Sequence, residues 1–201
     1  LDQLAQVQLH TSIATLSDLP QRSSPAVITI ITANEISDLH ARDLVDIFQR
    51  VPGLQITQDI AATTFVTRGL YAFVGRALVM IDGMPLNELL FGGYPIGNDF
   101  PIHLIKRIEI IRGPGSVIYG GSAETAVINF VMDDRDGVML STRYGQLPTS
   151  VGHQDIGLRF AEQWQDWRIS GVLFSGDARR SDSDYRFFSE RPAFQHNERS
   201  A

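Results

Sequence analysis

The chain has 201 residues, of which 43% are hydrophobic and 20% charged, with a formal net charge of −6 and no cysteine. That length supports one or two domains with cores of their own. The acidic balance argues against a nucleic-acid binder, which needs a basic face, and the lack of cysteine excludes disulfides and thiolate metal sites. No apolar run approaches the roughly 18 residues of a membrane-spanning helix, a test that says nothing of barrel strands of about ten alternating residues. The first residue is Leu1 rather than methionine, consistent with removal of a signal peptide.

Leu1, Leu4, Val7 and Leu9 make a short, poorly capped pattern, and Thr11–Ser24, rich in Ser and Thr, reads as a mobile leader. Val27–Ile31 predicts the first strand, and Thr32 with Glu35 frames a helix start as a capping box. Asp43–Arg50 predicts a second helix with Leu44, Ile47, Phe48 and Val51 on one face, ended by Pro52-Gly53. Leu54–Thr57 and Phe65–Arg68 follow as strands. Ala77–Ile81 is wholly apolar, as suits a central strand buried on both faces, and Asp82-Gly83 turns the chain after it. Met84–Pro101, rich in Gly, Pro and aromatics, is long enough to be a functional loop.

Ile102–Lys106 predicts one helical turn leading into Ile108–Asn129, which reads IEIIRGPGSVIYGGSAETAVIN. Here Ile108, Ile110 and Ile111 form a strand, Arg112-Gly113-Pro114-Gly115 stops it, and Ser116–Tyr119 makes a helical turn. Gly120-Gly121 breaks that turn, and Ala126–Val131 resumes as a strand. Past the acidic run Asp133–Asp136 the periodicity becomes two. Val138–Tyr144, Asp155–Ala161 and Trp167–Ser175 read as three strands, the last two joined at Gln165-Asp166. Gly176–Ala201 is polar and reads as a long loop or tail.

The glycines invite catalytic and nucleotide readings, which the spacing rejects. A dinucleotide fingerprint starting at Gly113 needs glycine at position 118, where the chain has Ile118. A phosphate loop over Gly115–Gly120 needs lysine where Gly121 stands. Gly120-Gly121-Ser122-Ala123-Glu124 lacks the last glycine of a nucleophile elbow. In calcium-loop register the acidic run would put Met132 and Arg143 at ligand positions, which cannot ligate. His10, His40, His103, His153 and His196 lack metal-ligand spacing. No catalytic residue, metal site or cofactor is expected.

Taken in order, Arg68-Gly69, Leu78–Pro85, Arg107–Gly115, Tyr119-Gly120 and Val127-Ile128-Asn129 resemble the plug domain of TonB-dependent outer-membrane receptors. Pro25-Ala26-Val27 and Val51-Pro52-Gly53-Leu54 match the same family. The resemblance covers about Ser24–Met132, with Glu124 and Ala126 departing from the usual small residue and glycine. It implies an α+β plug domain with a small mixed β-sheet and short helices, followed by a few antiparallel strands of an incomplete β-barrel. The expected divisions are a flexible periplasmic leader at 1–24, a plug at 25–132, and connector plus first barrel strands at 133–201. The residues after Gly137 suffice for three or four strands, whereas the smallest barrels need about eight, so the chain reads as a receptor fragment.

The function implied is gating of TonB-driven uptake of a scarce nutrient, such as a ferric siderophore, at the bacterial outer membrane. The implied partners are TonB, the chain's own barrel and a small-molecule nutrient. The TonB contact is expected at Val7, Gln8, Leu9, His10 and Thr11, by addition of a strand to TonB. Tyr71, Phe73, Phe91 and Tyr94 fall in the expected apical loops and suit a large, partly apolar ligand. Arg68 and Arg112 each precede a glycine at a strand end, so both guanidiniums project from one side. In the family such arginines face barrel glutamates, making Arg68, Glu109 and Arg112 the expected plug–barrel latch, with Glu109 a substitute for glutamates expected beyond residue 201 and water the other partner. The competing readings are an enzyme built on the glycine turn and a stand-alone interaction module with a plug-like fold.

Overall fold

The computed structural model describes residues 10–11, 13, 19–20, 27–58, 63–67, 69–71, 75–89, 92–94, 96, 100–113, 115–180 and 182. The chain divides into two units. The first holds Leu1–Ala41, Val45–Ile96 and Ile105–Asp133; the second holds Arg42–Leu44, Gly97–Leu104 and Asp134–Ala201.

In the first unit, β1 (His10–Thr11) pairs antiparallel with β2 (Leu19–Pro20). β3 (Ile28–Thr32) feeds α1 (Ala33–Asp38), where the capping box forms as expected. The Glu35 amide donates to Thr32 Oγ1 at 3.3 Å, and the Thr32 amide donates to Glu35 Oε2 at 2.7 Å. The second helix, α2 (Leu44–Phe48), is shorter than the periodicity predicts. Gln49 and Arg50 continue as a turn, their amides donating to Val45 O and Ile47 O at 3.1 Å, and Gly53, at φ 86°, turns the chain into β4 (Leu54–Gln58). β4 pairs with β5 (Thr63–Thr67), which pairs with β6 (Leu70–Tyr71).

The central sheet has the order β3-β9-β10-β7-β8, with β7 at Ala77–Ile81, β8 at Met84–Pro85, β9 at Ile105–Ile111 and β10 at Ala126–Met132. It is mixed, since β10 runs parallel to β7 and antiparallel to β9. Ile108 and Ile110 on β9, and Val127, Ile128 and Phe130 on β10, are fully buried. Phe48 meets Phe65 edge-on at 5.7 Å and stacks on Phe130 at 6.3 Å. Between β9 and β10 lie α3 (Ser116–Tyr119) and a 3-10 turn at Gly121–Ala123. Ala126 enters β10 without strain, and Glu124 sits exposed in ordinary helical geometry. Both departures from the family pattern are therefore absorbed locally.

The second unit is built on the antiparallel sheet β11-β12-β13, at Gly137–Gln146, Val151–Trp164 and Trp167–Ala178. The strands run longer than their apolar alternation predicts. Pairing continues from His153↔Ala178 to Trp164↔Trp167 because backbone ladders need no apolar side chain. Gln165, at φ 51°, and Asp166 make the two-residue turn.

Candidate functional site

The glycine-rich crossover is a packing device. A Cβ on Gly115 would sit 2.5 Å from Val127 Cγ2, so the turn touches β10 only where no side chain intervenes. The Asp82-Gly83 pair, at φ 46° and 82°, supplies the positive φ of a tight hairpin turn between β7 and β8. Its polar groups reach across to β10: the Gly83 amide donates to Asn129 Oδ1 at 3.0 Å, and the Met132 amide donates to Asp82 Oδ1 at 3.0 Å. Asn87 fixes the following loop, accepting from the Val79 amide at 2.7 Å and donating to the carbonyls of Ala77 and Gly92. Sequence reasoning missed Asn87, although an amide after a hairpin at a sheet edge was a usable signal.

At the end of β9 the chain makes a second polar corner. The Arg112 amide donates to Val27 O at 2.9 Å, and its guanidinium Nη1 donates to Pro52 O at 3.2 Å. The guanidinium lines a cavity of about 160 Å³ with Val27, Pro52, Leu54 and Thr67. The Thr67 hydroxyl is buried there and has no hydrogen-bond partner among the described residues. A cation beside an unmatched hydroxyl donor suits a carboxylate. Arg68 lies outside the described residues. Glu109, the substitute carboxylate expected for the latch, is buried and held by Arg107 at 2.7 Å on its own strand. Side chains two apart on a strand share a face, so Arg107 reaches it first.

Of the expected apical aromatics, Tyr94 is half-buried, Tyr71 is described in backbone only, and Phe73 and Phe91 lie outside the described residues. Of the expected TonB contact, Val7, Gln8 and Leu9 lie outside them, while His10 and Thr11 pair in extended geometry with Pro20 and Leu19. Two residues beyond Thr11 the leader touches the plug. Ile13 is 2% exposed in a cluster with Ile28, Ile30, Leu78, Met80 and Val127. The Tyr119 hydroxyl donates to Ile13 O at 2.6 Å. Burial, and then the nearby charge of Glu109, push the Tyr119 phenol up, which keeps it a donor. Leu9 and Leu16 stand at helical spacing from Ile13, but nothing in this Ser/Thr-rich stretch says what Ile13 packs against, so its anchoring was not legible in the sequence.

In the second unit the sheet has two unlike faces. One exposes Val138, Leu140, Tyr144, Ile156, Phe160, Trp164, Trp167, Ile169 and Leu173. The other carries Arg143, His153, Asp155 and Arg159, with Asp155 clasped by Arg143 at 2.6 Å.

A family model described as the TonB-dependent receptor plug domain matches residues 20–127. The chain belongs to that family, whose members reside in the bacterial outer membrane with the plug in the barrel, and which transports without a catalytic role. It is 34% identical over 110 residues to the vitamin B12 transporter BtuB of Vibrio vulnificus, covering 53% of this chain and 17% of that protein. In fold it resembles the pyoverdine outer-membrane receptor FpvA of Pseudomonas aeruginosa, with a TM-score of 0.66 at 18% identity over 87% of this chain and 25% of that one. It also resembles the ferric-catecholate import receptor Fiu of Escherichia coli, with a TM-score of 0.57 at 21% identity over 79% and 22%. The chain thus spans a quarter or less of the length of these relatives.

Proposed function

We propose that this plug gates TonB-driven uptake of a scarce, bulky nutrient, such as a ferric siderophore, through a barrel whose first strands are β11, β12 and β13. Residues 1–24 act as the periplasmic leader, 25–132 as the plug, and 133–201 as connector and first wall strands. The observation that carries this reading is the three-stranded sheet, which is apolar on one face and charged on the other. From the Tyr144↔Gln154 row to the Trp164↔Trp167 row the strand climbs about 33 Å, or about 25 Å across a membrane at the usual tilt. That is the height of a barrel's lipid-facing band, and aromatic residues mark both of its ends. An exposed apolar face of this extent serves a membrane or a protein partner, and its height and aromatic ends favour the membrane.

The relatives are named for vitamin B12, pyoverdine and ferric catecholate, all bulky cargoes. Tyr71, Phe73, Phe91 and Tyr94 in the apical loops suit such a ligand. Arg112, with Arg68, latches the plug to wall glutamates, and the cavity beside Thr67 admits one such carboxylate. Val7–Thr11 offers TonB a strand.

The test is uptake by cells that lack their own receptors and express the complete receptor. Labelled ferric siderophores and cyanocobalamin are supplied in parallel. Saturable uptake of one class is expected, abolished by a protonophore and by Leu9→Pro, which removes a backbone donor from the added strand. Uptake that survives collapse of the proton-motive force overturns the reading.

A further inference from the structure

Within the second unit, the 3-10 turn Ile102–Leu104 lies on the charged face of the sheet. The His103 ring occupies a recess that exists because residue 157 is glycine. A Cβ there would stand 2.7 Å from His103 Nε2, 3.1 Å from Leu104 Cδ1 and 3.2 Å from Ser141 Oγ. Ser141, Gly157 and Phe174 stand opposite one another on β11, β12 and β13, and the Phe174 ring centre is 6.0 Å from that of His103. Both ring nitrogens of His103 are buried, and neither has a hydrogen-bond partner among the described residues. A neutral imidazole tolerates this at a cost; an imidazolium, with two donors to satisfy, does not.

Among the described residues, the charges around the recess are two arginines and one already clasped aspartate. In the next register row Arg143 faces Asp155, donating from Nε at 2.9 Å and from Nη2 at 2.6 Å to the same oxygen, Oδ2. The other oxygen, Oδ1, accepts from Arg143 Nε at 3.2 Å. His153 Nε2 also contacts Asp155 Oδ2, at 2.6 Å. In the row on the other side Arg159 brings a second cation, bonded to the Arg135 carbonyl. β13 contributes Phe174 and no charge at this level. Among the described residues no three of His, Asp and Glu gather to hold a metal ion.

We propose that His103 is a proton-released catch, in which the neutral ring seats the Ile102–Leu104 turn on the sheet and a proton on the ring frees it. Burial, then the Arg143 cation, and more weakly His153, hold the His103 pKa below its ordinary value of 6.5, with Asp155 opposing them. The seated form therefore binds fewer protons than the released form. Seating is complete above the ordinary histidine value and weakens as pH falls through the lowered one.

Hydrogen exchange of the complete receptor in detergent, without any transported ligand, tests this separately from the transport reading. The reporters are the Ile102 amide, bonded to Phe100 O at 2.8 Å, and the Leu104 amide, bonded to Pro101 O at 2.8 Å. After correction for intrinsic exchange, their protection is expected to fall about tenfold or more between about pH 7.5 and about pH 5. In His103→Phe, which keeps a ring and loses the titration, protection stays level. In Arg143→Gln, which removes a cation and loosens Asp155, the midpoint moves to higher pH. Flat protection in the unmodified receptor, an equal fall in His103→Phe, or an unmoved midpoint in Arg143→Gln each overturns the proposal.

Discussion

In the central sheet, β10 buries almost every side chain on both faces, and β9 does the same from Ile108 to Ile111. In the sheet of β11, β12 and β13, the apolar residues alternate onto one exposed face and the arginines, aspartate and histidine onto the other. Both sheets are rich in Ile, Leu, Val and Phe, so composition does not separate them. What differs is where water is excluded. The first sheet makes its own dry interior, whereas the second presents a dry exterior that suits lipid. A reading of hydrophobicity is therefore a reading of surroundings, and only the period along each strand says which surroundings are meant.

The strongest way to break this contrast is one charge in each sheet. Ile110→Asp puts an unpaired carboxylate at a fully buried position, and a loss above about 4 kcal/mol is expected, enough to abolish the plug fold. Limited proteolysis of the complete receptor reads this directly, and a protease-resistant plug in the variant would count against a dry interior there. Leu140→Arg acts on the middle row of the outward face, Leu140↔Leu158↔Leu173. In phospholipid vesicles it is expected to cost about 2–4 kcal/mol, measured by urea titration. A cost near zero would mean that this face does not meet lipid. The smallest effect sharpens the packing side of the contrast. Gly115→Ala drives a methyl against Val127 and should cost about 1–3 kcal/mol by the same titration, with Val127→Ala in the same chain recovering part of it.

What could be read beforehand follows the same division. β7 was legible to the residue, because five apolar residues end at a turn whose chemistry is local. The α1 cap was legible for the same reason. The wall strands were legible in their centres and too short at their ends, since Glu162 and Gln163 extend β12 without any apolar signal. Long-range partners were not legible. Ile13 finds the plug core, and His103 finds the space left by Gly157. Each of these depends on register between elements distant in sequence, which no local pattern encodes.

The anchoring of Ile13 has a mechanical meaning. From Thr11 to Ile13 the chain extends at most about 7 Å. Whatever takes hold of the leader at Thr11 therefore has almost no slack to draw in before the load reaches the Tyr119 hydroxyl and the apolar seat of Ile13 together. A pull there is felt at once by the residues that join β9 to β10.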